Sequence, residues 1–157
     1  MVLSKSKPIG GVESVALYPA DAVVTALFSS KGCEVELSGN SINIPLLEDT
    51  SFYEECSETI HGVTRISHTL RIVAARGDAD AWLTADFIEK ASFEGFVVVI
   101  SLCDGRKLLA GYSAQFEDEQ PMRLQSLIST SGSSPLNTPS VSLELVAYDT
   151  AFSSNIL

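Results

Sequence analysis

Histidine and acidic side chains are the residues of this chain that suit metal binding or acid–base chemistry. Imidazole nitrogens and carboxylate oxygens together bind divalent metal ions. The chain has two histidines, and the acidic residues near them in sequence are Glu48, Asp49, Glu54, Glu55 and Glu58. Strand alternation opposes a shared site, because neighbours such as Glu54 and Glu55 point to opposite faces of a strand. We therefore expect a solvated acidic strand edge that discourages strand addition, and no metal site.

Neither serine nor cysteine stands in a pattern typical of nucleophilic catalysis. The sequence has no Gly-x-Ser-x-Gly elbow, and His61 adjoins a glycine in a predicted turn. His68 is in phase with the apolar side of an alternating segment, so we expect a hydrogen-bonded core or edge histidine and not a general base. The three cysteines are widely spaced and odd in number, which indicates neither a disulfide framework nor a zinc motif. We predict that the protein is not an enzyme, has no catalytic residues and binds no cofactor.

The charge balance restricts the partners. The net charge of −10 comes from 20 acidic and 10 basic residues. Phosphate binding depends on Lys and Arg, so this balance argues against tight nucleic-acid binding. Charged residues make up 19% of the chain, below the roughly 25% usual for soluble domains, and the mean hydropathy is +0.22. Such a chain has either an unusually apolar surface or a surface that a partner covers, and the second interpretation predicts a homo-oligomer.

The start of the chain has two lysines but no apolar segment after them, so no secretory signal is visible. No stretch approaches the ~18 apolar residues that a membrane span needs. We expect a protein that is intracellular on synthesis and has no membrane partner. Residues 1–11 are predicted to be a flexible N-terminus, residues 12–152 a single domain, and residues 153–157 a C-terminal tail.

The strongest structural pattern is a central hairpin between Gly95 and Tyr112. Asp104-Gly105 separates two apolar β-rich runs and favours a two-residue type I′ turn. This register makes Cys103 face Arg106, and it places Val98, Ile100 and Leu102 opposite Gly111, Leu109 and Lys107. Both faces are largely apolar, so we expect a hairpin in the middle of the domain, covered on each side.

A second hairpin is predicted at Gly39-Asn40, between two alternating runs. Its register places Leu37 opposite Ile42, Val35 opposite Ile44, and Cys33 opposite Leu46. All six side chains then share one face, and the other face is solvated.

Further elements follow from periodicity. Val12–Tyr18 and Val23–Phe28 are short apolar segments around a turn at Pro19, and the second is compatible with a strand or a helical turn. Strands are also expected over residues 51–57, 63–75, 121–128 and 140–148, with a turn at His61-Gly62 and an exposed loop or arm over Ser129–Pro139. Asp78 is predicted to cap a helix over residues 79–91 whose apolar stripe contains Leu83, Phe87, Ile88 and Ala91.

These elements predict a mainly β (α+β) domain. About eight antiparallel strands would form a sandwich or a partly closed barrel, with one flanking helix. Trp82 falls off the helix stripe, so we expect it at a rim or an interface.

The second half of the chain resembles small phage and prophage tail structural proteins of Bacteroides-like bacteria. The resemblance covers residues 50–152, and it is carried by the hairpin segment 104–112, Pro121-Met122-Arg123-Leu124, the polar loop that ends at Asn137-Thr138-Pro139, the closing segment 141–145, and Asp149-Thr150. It implies a virion or tail component, a β-sandwich with a flanking helix that assembles into stacked rings with copies of itself or with other virion proteins. The chain departs from this pattern in having no obvious long hydrophobic arm.

Two hypotheses of function follow. The first is a tail-type structural subunit whose candidate interface residues are Trp82, Ser129, Ser133, Pro135 and Asn137. The second is a non-catalytic binding module that holds a protein or carbohydrate on exposed aromatic residues such as Phe52, Tyr53 or Trp82. Ring assembly requires two complementary patches on opposite flanks, whereas a binding module requires one concave patch.

Overall fold

The computed structural model describes residues 11–47, 51–117, 119–130, 139–149 and 152–157, which form a mainly antiparallel β structure. The strands are β1 (Val12–Pro19), β2 (Val23–Ser29), β3 (Gly32–Leu37), β4 (Ile42–Asn43), β5 (Phe52–Ile60), β6 (Val63–Ala75), β7 (Phe96–Leu102), β8 (Lys107–Ala110), β9 (Arg123–Thr130), β10 (Ser140–Asp149) and β11 (Ser154–Asn155). The helices are α1 (Arg76–Ala79) and α2 (Ala85–Phe93).

Two sheets and a ribbon form three layers. A five-stranded sheet has the order β11-β8-β7-β1-β4, a four-stranded sheet has the order β5-β6-β10-β9, and β2 pairs with β3 alone. The main core joins the two larger sheets through side chains such as Ile100, Ile72 and Leu143. A smaller cluster around Cys33, Val97 and Leu109 joins the ribbon to the other side of the five-stranded sheet. The predicted mainly β sandwich is confirmed, and the described strands do not close into a barrel.

The central hairpin is covered on both faces, as expected, but the predicted register is wrong by one residue. Val98 pairs with Ala110 and Ile100 with Leu108. The loop has three residues, because the Leu102 N–H bonds to the Arg106 carbonyl at 2.8 Å and the Gly105 N–H to the Leu102 carbonyl at 3.0 Å. Only Gly105 has a positive φ in this loop, so the turn is not type I′. The Asp104 carboxylate accepts the Arg106 N–H at 3.0 Å, which stabilises the longer loop.

The predicted hairpin at Gly39-Asn40 is wrong. Strand β3 pairs with β2, whereas β4 pairs with β1 at the edge of the five-stranded sheet. Cys33 therefore belongs to the smaller cluster and Ile44 to the main core. The alternation predicted on each side of Gly39 is confirmed, but the segments before and after it pack in different layers.

The long amphipathic strands are confirmed. Strands β6 and β10 pair over ten residues from Ala75↔Ser140 to Ile66↔Asp149, and their inward side chains are buried: Ile66, His68, Leu70, Ile72, Val141, Leu143, Leu145 and Ala147. Strand β2 is a strand and not a helical turn. His61 and Gly62, both with positive φ, connect β5 to β6 in a two-residue turn, which is the type I′ arrangement.

The helix prediction over residues 79–91 is correct only in its second half. Helix α2 begins after Thr84, whose Oγ1 accepts the Phe87 N–H at 3.1 Å, and Asp78 lies within α1 and is not a cap. The helical conformation is broken between α1 and α2, and the four-residue spacing of Leu83 and Phe87 continues across this break. Trp82 lies in this break, 7% exposed, with its ring edge-on to Phe87 at 5.2 Å. It is a core residue and not a rim residue.

The C-terminal residues are part of the fold, although the sequence predicts a tail over residues 153–157. Strand β11 pairs with β8, the Ile156 N–H bonds to the Lys107 carbonyl at 2.8 Å, and the Leu157 N–H bonds to the Cys33 carbonyl at 2.9 Å. Of the predicted loop over Ser129–Pro139, Ser129 and Thr130 belong to β9, while residues 131–138 lie outside the described residues, as do residues 1–10 of the predicted N-terminus.

Candidate interaction surface and polar cluster

A buried polar cluster fastens the end of the chain to the four-stranded sheet. Glu55 on β5 and His68 on β6 are directly opposite each other, with Glu55 Oε2 3.5 Å from His68 Nε2. The Ser153 N–H donates to Glu55 Oε2 at 2.6 Å, and Ser153 Oγ lies 3.1 Å from His68 Nδ1. Tyr53 Oη is hydrogen-bonded to the same Ser153 hydroxyl. His68 is only 3% exposed, so the expectation of a hydrogen-bonded core histidine is confirmed.

Burial governs the electrostatics of this cluster. Burial raises the pKa of the Tyr53 phenol, the hydrogen bond with Ser153 opposes that rise, and the nearby Glu55 carboxylate adds to it. The phenol therefore stays protonated and can donate. Both the amide and the hydroxyl of Ser153 are engaged, so the arrangement fixes the position of residue 153. Glu55 is accordingly not part of a solvated acidic edge, unlike Glu54 and Glu58, which are exposed.

The outward side of the four-stranded sheet is an open face. We define the open face by side chains that the register places together and that are half-buried or exposed. They are Phe52, Glu54, Cys56 and Glu58 on β5, Arg65, Ser67, Thr69 and Arg71 on β6, Ser142, Glu144, Val146 and Tyr148 on β10, and Arg123, Ser126 and Ile128 on β9.

Four of the six charged side chains on the open face are opposite a residue of the other sign, and Arg123 Nε donates to the Phe93 carbonyl at 3.2 Å. Arg65 Nη2 is 3.3 Å from Glu58 Oε2, and its guanidinium carbon is 4.6 Å from the Tyr148 ring centroid. Arg71 is directly opposite Glu144 across the β6–β10 ladder. Cross-strand pairs of this kind contribute roughly 0.2–1 kcal/mol each. The face is therefore polar but internally balanced.

One end of the sheet extends into an arm. We define the arm as residues 57–65, the end of the β5–β6 hairpin. The β6–β10 ladder ends at the pair Ile66↔Asp149. Strands β5 and β6 continue to pair beyond this point, as far as Ile60↔Val63. The arm thus extends about 10 Å beyond the β10 ladder. Every described side chain in it is exposed, and Val63 is 69% exposed.

The predicted interface residues do not come together. Trp82 is buried beside a surface cavity of about 230 Å³ that Phe87, Lys90 and Phe96 also line. Ser129 is exposed on β9, and Ser133, Pro135 and Asn137 lie outside the described residues. The open face and the arm were missed, although the alternation of residues 63–75 and the His61-Gly62 turn contained the signal for both.

The aromatic residues of the alternative hypothesis are also dispersed. Phe52 is exposed on the open face, Tyr53 points to the opposite side of β5, and Trp82 is in the core. Within the described part of the chain, no three His, Cys, Asp or Glu side chains are grouped so that they could hold a metal ion. No helix in that part is long and apolar enough to cross a membrane.

Comparison with known proteins gives no relative. No protein-family model matches the chain, and neither a curated protein nor a solved structure matches it.

Proposed function

We propose that this chain is a phage- or prophage-derived structural subunit of the tail type, which acts by assembling with further copies of itself and with other virion proteins. It carries out no catalysis, binds no cofactor, and does not hold nucleic acid tightly. Its final location is a virion or a tail-like particle.

The arm is the observation that carries this proposal. Thr59 Oγ1 and Thr64 Oγ1 lie 3.0 Å apart across its two strands, and Glu58 pairs with Arg65. These contacts fix the register, but no apolar side chain of the described core covers either side of the arm. A two-stranded ribbon alone is at best marginally stable in water. An arm that is well specified yet uncovered is typical of a segment that a neighbouring subunit covers.

The second candidate is a binding module for a protein or carbohydrate. It requires exposed aromatic rings on one concave surface, and Phe52 and Tyr148 are the exposed aromatic residues of the open face, at 40% each. Phe52 is on β5 and Tyr148 is on β10, with β6 between them. The two rings are therefore too far apart to stack on one sugar. Self-assembly is therefore the better supported function.

The test is the mass of the purified protein over a range of concentrations, by size exclusion with light scattering, together with negative-stain images of the largest species. We expect rings, tubes or concentration-dependent growth. A shortened-arm variant that lacks Glu58, Thr59, Thr64 and Arg65 removes two facing pairs and keeps the turn at His61-Gly62. It should form smaller species while retaining the melting curve of the domain.

A strict monomer at millimolar concentration would overturn the proposal. Assembly that persists unchanged in the shortened-arm variant would show that the arm is not the contact.

A further inference from the structure

The open face differs from the rest of the molecule in charge. It has three acidic residues, Glu54, Glu58 and Glu144, and three basic ones, Arg65, Arg71 and Arg123. Among the residues that the structure describes, a further 14 acidic and 5 basic residues lie elsewhere. The open face is therefore neutral, whereas the rest of the described residues together have a net charge of −9.

The cations of the open face are all arginine. The chain has five arginines and five lysines, and none of the three lysines that the structure describes, Lys31, Lys90 and Lys107, is on this face. Protein interfaces are enriched in arginine and aromatic residues and depleted in lysine. A guanidinium is weakly hydrated and stacks on rings, as Arg65 does on Tyr148, so it is buried at a contact more easily than an ammonium group.

Apolar side chains and a recess complete the surface. Phe52 and Tyr148 are each 40% exposed and Ile128 is 57% exposed. A cavity of about 250 Å³ lies at the bulge of β9, lined by Arg123, Val146 and Tyr148 among others. A recess of this size receives one large side chain such as a phenylalanine or isoleucine.

We propose that a second copy of this chain docks its own open face on this one, as a two-fold pair of packed sheets. Charge selects this occupant. Two chains of net charge −10 repel each other least where both surfaces are neutral, and a balanced face meets a copy of itself without excess charge of either sign. In a two-fold contact the same patch serves both partners, with sheets about 10 Å apart. This inference rests on the proposed self-assembly: the open face joins copies in closed pairs, and the arm supplies the separate contact through which a larger assembly grows.

The test introduces charge at one position and then restores the balance. Arg71→Glu makes the open face acidic on both copies of the pair, and we expect it to raise the dissociation constant at least about tenfold. The double variant Arg71→Glu with Glu144→Arg restores neutrality between directly opposed positions, and should recover association. Thermal melts of both variants check that the monomer folds.

A second pair of variants leaves the half-buried Arg71 unchanged. Ile128→Glu places a carboxylate at an exposed position of the open face, and Leu27→Glu does so at a similarly exposed position of the β2–β3 ribbon, where Leu27 is 69% exposed. Sedimentation velocity should find weaker pairing for Ile128→Glu and wild-type pairing for Leu27→Glu. Equal effects of the two variants, or none, in a protein that still assembles would overturn this contact and leave the proposed function standing. A wild-type monomer would overturn both.

Discussion

Two β-hairpins of this molecule have opposite environments. The β7–β8 hairpin is covered on both sides, by the main core on Ile100 and Leu108 and by the ribbon cluster on Val97 and Leu109. The arm at the end of β5–β6 is exposed on both sides. The first is held by burial, since Ile100 is fully buried. The second is held by its turn and by polar cross-strand pairs such as Thr59 with Thr64.

The difference shows that turn chemistry and packing specify different things. In the arm, where packing contributes little, the two-residue turn at His61-Gly62 sets the register. In the covered hairpin, packing on two sides accommodates a three-residue loop at Asp104-Gly105. A segment with strict register and no cover adds little to the stability of the isolated domain, which is the ground for our proposal that a neighbouring subunit covers the arm.

Truncating a buried residue should separate the two hairpins most strongly. Ile100→Ala is expected to lower the free energy of unfolding by about 2–5 kcal/mol, because it leaves a cavity between two layers. Val63→Ala in the arm should change it by less than about 0.5 kcal/mol. Urea unfolding followed by circular dichroism measures both. A small loss for Ile100→Ala would contradict the two-sided cover.

The loop of the covered hairpin should respond less than its core. Gly105 has φ +93° with nothing within 4 Å of an added Cβ, so Gly105→Val introduces backbone strain without a clash. We expect a loss of about 1–3 kcal/mol in thermal or urea unfolding. Gly77→Val is the control, because that glycine also has open space but no positive φ. Equal losses would mean that strain at Gly105 is not the cause.

Polar pairing in the arm should give a smaller and local effect. Thr59→Ala removes a cross-strand hydroxyl pair and is expected to cost roughly 0.2–1 kcal/mol. Hydrogen exchange should detect it as faster exchange of the arm amides alone, with the β7 amides unchanged. If the β7 amides also exchange faster, the arm is coupled to the core and the contrast fails.

Chemical labelling of the cysteines tests the fold without any substitution. Cys33 on β3 is buried between the ribbon and the five-stranded sheet, and burial raises the pKa of its thiol, whereas Cys56 is exposed on the open face. Because the thiolate is the reactive form, iodoacetamide should label Cys56 in the folded protein at concentrations where it is monomeric, and Cys33 only after unfolding. Mass spectrometry of the digested protein assigns each site. Early labelling of Cys33 would show that the ribbon opens readily.

Much of the fold follows from alternation alone. Residues 63–75 and 140–148 alternate over most of their length, and the buried face predicted for each strand is confirmed. The Gly39-Asn40 hairpin could not be excluded in that way, because the runs before and after the turn fit two separate sheet edges as well as they fit each other. Pairing depends on contacts between distant residues, such as Leu17 with Ile42, which local pattern does not encode.

The polar cluster and the start of α2 were harder to predict from the sequence. The polar cluster unites β5, β6 and Ser153, and residue 153 was assigned to a tail since a short polar segment has no periodicity. The break at Thr84 was hidden for a different reason. The spacing of Leu83, Phe87 and Ala91 continues across it, and only the capping contact of Thr84 with Phe87 marks where α2 begins.

The neutral open face also has a colloidal consequence. If copies join through a surface without net charge, each added copy brings its full negative charge to the outside of the particle. The charge of an assembly then grows in proportion to its mass, and larger particles should elute later from an anion-exchange column. The same outer charge would keep such particles apart and limit their aggregation without weakening the proposed contact.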